Sequence, residues 1–97
     1  MLRTELETAI RHQKVIQFTY SGYEFTAEPY RLASDNTGAT FLDVYQTGQG
    51  TSHAGTPKWR RCEMSRISHI TPTDKKFRIR DDYSKQPKAE GFVFAEV

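Results

Sequence analysis

The first apolar positions, Leu6, Ala9 and Ile10, fall at i, i+3 and i+4, so they line one stripe of a helix. Thr4 followed three residues later by Glu7 has the spacing of a capping box and predicts where that helix opens. From Val15 the period changes to two. Ile16, Phe18 and Tyr20 alternate with Gln17 and Thr19, the pattern of a strand with one buried face. Ser21-Gly22 predicts a turn. A second strand runs from about Tyr23 to Ala33 and contains Pro29, which cannot donate to a ladder and so marks an edge or a bulge. Ser34-Asp35-Asn36-Thr37-Gly38 is turn chemistry, and Thr40 to Tyr45 is a third strand. The stretch from Thr47 to Pro57 is polar, glycine-rich and aperiodic, which predicts a flexible gate over one end of the fold. Lys58 to Met64 and Ile67 to Thr71 complete five strands, separated by Ser65-Arg66 and closed by Pro72. After Phe77 charges alternate up to Phe92-Val93-Phe94, an apolar patch suited to docking as an added strand or to meeting a partner.

One helix followed by five short antiparallel strands predicts a mainly β fold, a small five-stranded barrel of the SH3-like or Sm-like kind, because closing the sheet removes its edges. The length of 97 residues fits one domain, placed at residues 1–78, with a charged tail at 79–97. Cys62 is the single cysteine, which excludes an intrachain disulfide, withholds the usual thiolates from a structural zinc, and fits a reducing cytoplasm. The N-terminus has no apolar run of secretion-signal length, and no segment approaches membrane-spanning length, so no membrane role is expected.

The formal net charge of +2 hides an asymmetry. From Lys58 to Arg80 there are eight basic residues against Glu63 and Asp74, so six positive charges in excess lie in one segment. Five of the eight are arginine, whose planar fork suits phosphate, and Trp59 sits among them as a stacking surface for a base. An anionic partner is expected.

The order of these elements resembles the WYL domain, a bacterial Sm-like barrel of transcription regulators. The resemblance runs from Ala9-Ile10, opening the first strand region, through Tyr20, Glu28-Pro29-Tyr30-Arg31-Leu32 and Gly38 to Arg60, Met64-Ser65-Arg66-Ile67 and the closing Phe77. The name-giving tripeptide is here Thr40-Phe41-Leu42; Phe25 and Ser65 replace a usual arginine and aspartate, and Cys62 an aromatic. The resemblance implies a non-enzymatic regulatory domain that senses an anionic ligand, nucleic acid or a nucleotide. In such regulators the signal passes to a helix-turn-helix, which one helix here cannot supply, so the chain is expected to be stand-alone or a piece of a larger protein, with a DNA-binding partner protein or a second copy as further partners. The alternative is a protein-interaction or oligomerisation module.

Carried over by position, Arg60 and Arg66 are the expected anion contacts, with Tyr20 and Tyr45 beside them. Arg60 shares strand parity with Cys62 and Met64, so it is expected to point inward, its charge met by a ligand or by Asp43 or Glu28. Trp59 and Arg61 have the opposite parity and are expected to face outward, offering stacking and charge to single-stranded nucleic acid. His12, His53 and His69 lack metal-ligand spacing, no cofactor motif is present, and Cys62 at a strand position reads as a small core residue rather than a nucleophile.

Overall fold

The computed structural model describes residues 2–49 and 57–97. Its mainly β architecture has one N-terminal helix, α1 (Leu2–Arg11), and six strands: β1 (Lys14–Tyr20), β2 (Tyr23–Ser34), β3 (Thr40–Gln49), β4 (Lys58–Glu63), β5 (Ile67–Lys76) and β6 (Val93–Glu96). All strand pairings are antiparallel, in the order β4-β3-β2-β1-β5, with β6 added to β2. The expected barrel does not close: among the described residues β4 and β5 share no ladder, and a 3-10 turn at Met64–Arg66 carries the chain between them. The fourth strand therefore ends at Glu63 rather than Met64, and the fifth runs on to Lys76. Most of the loop expected from Thr47 to Pro57, with its gating role, lies outside the described residues, and β3 already occupies Thr47 to Gln49.

Helix α1 opens before Thr4, so Thr4 is not its cap; Glu7 instead pairs with Arg3 at 3.1 Å and Arg11 at 3.5 Å, one turn to either side. The stripe Leu6, Ala9 and Ile10 is fully buried, at 0–1 % exposure, against Ile16, Phe18, Phe25, Leu32, Leu42, Val44, Cys62, Ile67 and Ile70. Ser21 (φ 50°) and Gly22 (φ 87°) join β1 to β2 with both central residues left-handed, the two-residue hairpin that matches strand twist.

Strand β2 organises the molecule. Its first half pairs with β1, its second half with β6, and β3 runs along nearly all of it. The register against β3 shifts between Pro29 and Arg31, so the proline sits at a bulge, where its missing N–H costs no ladder bond. From Ala27 to Ala33 every residue is buried, which means that both faces of β2 are covered. The core and α1 cover one face. The chain from Phe77 to Phe92 covers the other, crossing it as a strap with a short 3-10 helix at Asp81–Lys85 before ending in β6. The segment expected as a charged tail thus returns to the sheet, and Val93-Phe94 takes the added-strand position. Phe77 N–H bonds to Gln13 C=O at one end of the strap, and Ser34 N–H to Phe92 C=O at the other.

Candidate functional site

The outer face of the sheet, beneath the strap, is built on Tyr30. Strand alternation puts Glu28 and Tyr30 of β2, Asp43 and Tyr45 of β3, and Trp59 and Arg61 of β4 on this side, with Glu28 opposite Tyr45, Tyr45 opposite Trp59, and Asp43 opposite Arg61. The bulge at Pro29 then turns Arg31 to the same side. Tyr30 is fully buried, its ring 4.7 Å from Trp59, 4.8 Å from Tyr83 and 5.2 Å from Phe77. Trp59 also meets Tyr45 at 5.2 Å, edge to face.

Two charge networks border these rings. Arg80 donates Nε and Nη2 to the two oxygens of Glu28, at 3.0 and 3.1 Å, and its guanidinium lies 3.8 Å over Tyr45. The hydrogen bonds to Glu28 raise the Arg80 pKa. The Tyr30 hydroxyl accepts the Arg80 N–H at 2.9 Å and donates to Glu28, and burial pushes it up to about 12. In the second network Asp43 holds two arginines. Arg31 donates Nε at 2.9 Å and Nη2 at 2.7 Å, and Arg61 donates Nε at 2.8 Å. The Pro87 carbonyl oxygen of the strap accepts from both guanidinium groups.

Beside the second network opens a cleft of about 210 Å³, lined by Trp59, Arg60 and Arg61 of β4, Asp43 of β3, and Tyr83 and Pro87 of the strap. A larger groove of about 710 Å³ lies on the other side of the 3-10 helix. It is lined by Lys75, Lys76, Arg78 and Arg80, but also by Glu28, Asp81 and Asp82, so its charge is mixed. The smaller cleft joins aromatic rings to arginine, which is what a base with its phosphate requires.

Of the six residues singled out in the sequence, Trp59 and Arg61 meet at this cleft, Arg60 borders it with its side chain turned to the other face, and Tyr45 backs Trp59. Arg66 and Tyr20 do not join them. They lie at the opposite end of β4, where Arg66 is exposed in the 3-10 turn and the Tyr20 hydroxyl accepts the Glu63 N–H at 3.3 Å. Arg60 has the expected inward side chain, but neither Asp43 nor Glu28 meets it, because both project from the opposite face. Its Nε donates instead to buried Gln46 at 2.9 Å, with the guanidinium 5.0 Å over Phe25. Trp59 faces outward as expected, yet it is half-buried rather than a free stacking surface, wedged against Tyr30, Tyr45 and Tyr83 with its Nε1–H on Asp82 at 2.9 Å. Arg61 is committed to Asp43 and stacks 4.0 Å over Phe41.

Sequence reasoning passed over Arg31 and Tyr83. The bulge reverses Arg31's parity, and Tyr83, the one ring in the charged stretch from Arg78 to Glu90, was the available signal. Cys62 is fully buried, and burial pushes its thiol up to about 12, which keeps it protonated at neutral pH. Among the described residues no helix is long and apolar enough to cross a membrane, and no three His, Cys, Asp or Glu side chains gather as a metal site needs. No family model, curated protein or solved structure matches the chain.

Proposed function

We propose that this protein is a non-enzymatic binding domain that holds an anionic ligand, a nucleic acid strand or a nucleotide, at the cleft between β4 and the strap, and that it serves in transcription regulation as the WYL-like pattern implies. The observation that supports this reading is the meeting of the Trp59 ring and Arg61 at one cleft of about 210 Å³. Stacking on such rings contributes about 1–3 kcal/mol per base, and phosphate contacts add a salt-dependent part. The test is a titration followed by Trp59 fluorescence with short single-stranded DNA and RNA, duplex DNA and mononucleotides, each at two salt concentrations. Saturable binding that weakens with salt, and that is lost in Arg61→Ala but kept in Arg66→Ala, is the expected result. No binding of any of these, by fluorescence and by calorimetry, overturns the reading.

A second reading, a protein-interaction or oligomerisation module, draws on one observation. Phe92, just before β6, and Val93, its first residue, are 67 % and 39 % exposed. Sedimentation of the wild type and Phe92→Ser at several concentrations tests it: an oligomer that the substitution dissolves supports it, and two unchanging monomers argue against self-association.

A further inference from the structure

The strap crosses the outer face with little apolar anchorage. From Arg78 to Phe94 no residue is buried, and the Tyr83 ring is half-buried. The remaining hold is polar: Arg80 on Glu28, the Asp82 carboxylate on Trp59 Nε1–H, the Tyr83 hydroxyl on Glu96, and the Pro87 carbonyl on Arg31 and Arg61. A segment held in this way opens more readily than the sheet beneath it.

The Pro87 contact differs in kind from the others. A neutral carbonyl oxygen occupies the point where two guanidinium groups converge, one of them on an Arg31 side chain only 7 % exposed. Asp43 accepts from Nε and Nη2 of both groups, so the Pro87 oxygen shares each Nη2 with it, and Glu96 lies 3.8 Å from Arg31 Nη1. An ionised oxygen at the Pro87 position makes charge-assisted hydrogen bonds, about twice as strong as those to a carbonyl. Trp59 lines the adjoining cleft.

We propose that the Pro87 carbonyl holds the place of a phosphate oxygen: a nucleotide phosphate binds between Arg31 and Arg61, and the strap is the intramolecular occupant that it displaces. This rests on the anionic-ligand reading above. It adds Arg31 as a contact and makes the strap a competitor whose hold lowers the apparent affinity.

Hydrogen exchange of the full-length chain, read by mass spectrometry with oligodeoxythymidine, thymidine monophosphate and inorganic phosphate, tests the displacement. The reporters are the Arg80 amide, bonded to the Tyr30 hydroxyl, and the Gly91 amide, bonded to the Ser34 carbonyl. Two variants loosen the strap. Gly91→Ala drives a Cβ to 2.5 Å from Ser34 Oγ and 2.7 Å from the Ser34 and Asp35 carbonyl oxygens; Asp82→Ala removes the partner of Trp59 without touching Ser34. The expected result is faster exchange across residues 78–91 when probe binds, and roughly tenfold tighter binding in both variants, because the competing state is depopulated. A response to the oligonucleotide alone assigns a phosphodiester strand, and a response to the monophosphate as well assigns a nucleotide. Binding that slows strap exchange or leaves it unchanged, with no gain in either variant, overturns the displacement while the cleft reading stands. Absence of binding to the wild type and to both variants overturns the cleft reading and this proposal together.

Discussion

Replacing Asp43 with alanine removes the single carboxylate between two arginines, and the structure fixes what that costs. Asp43 is 8 % exposed and Arg31 6 %, so neither group is restored to water when its partner goes. Breaking a buried pair of this kind costs about 3–5 kcal/mol. The Arg61 arm adds less, since its side chain is 38 % exposed and an ion pair at that exposure contributes about 0.2–1 kcal/mol. Against a total stability of about 5–15 kcal/mol for a domain, Asp43→Ala removes a large share. The assay is urea unfolding followed by Trp59 fluorescence, where a slope of roughly 1–3 kcal/mol per molar converts the loss into a fall in midpoint of more than about 1 M. Arg61→Ala is expected to lower the midpoint by far less. The Asp43→Leu, Arg31→Met double variant is expected to recover most of the loss, because an apolar pair leaves no buried charge unmatched. A loss under about 1 kcal/mol in Asp43→Ala, or a double variant no better than the single one, refutes the description of Asp43 as a buried hub.

Stability is expected to decline in alkali. Burial raises Tyr30 from 10.0 and Cys62 from 9.0, each to about 12, so the folded chain binds these protons more tightly than the unfolded chain does. Their contribution is complete below about pH 9 and is lost as pH rises toward 12, and Tyr30→Phe should flatten that decline in a pH series of urea midpoints. The acid limb has its own reporter. Asp35 is lowered by the Thr37 hydroxyl and amide, which bond its Oδ1 at 2.6 and 2.8 Å, so its contribution is present above the ordinary 3.8 and fades as pH falls below it; Asp35→Asn should remove that part. The Cys62 thiol is expected to resist a disulfide reagent in the folded chain and to react at once in denaturant, and rapid reaction without denaturant contradicts its burial.

The parts of the fold that were legible in the sequence are those where one periodicity holds without interruption. The Leu6-Ala9-Ile10 stripe, the alternation from Ile16 to Tyr20 and the Ser21-Gly22 turn each specify their element locally. Legibility fails where the period breaks. Pro29 announces a bulge, but nothing in the residue order says that Tyr30 and Arg31 then lie on the same face, and the buried arginine follows from that. It fails again after Phe77, where alternating charges read as a tail although Arg80 is committed to Glu28 and Asp82 to Trp59. The candidate site was half visible for the same reason: parity put Trp59 and Arg61 on the outer face, whereas the ring and the carbonyl that complete the cleft come from a segment with no periodicity to follow.

Because the sheet does not close, β4 and β5 stand at its ends among the described residues, each a template on which another chain could add a strand and start a fibre. Both are defended by the residues that make them irregular. On β5, His69 takes a left-handed conformation at φ 54°, the register slips beside it, Pro72 withholds a donor, and Lys75 and Lys76 put like charges at the far end. On β4, Lys58, Arg61 and Glu63 are exposed along a strand of six residues. A sheet so defended resists edge-to-edge pairing, and substitutions such as His69→Val or Pro72→Val, outside the buried core, are the ones expected to make the chain aggregate.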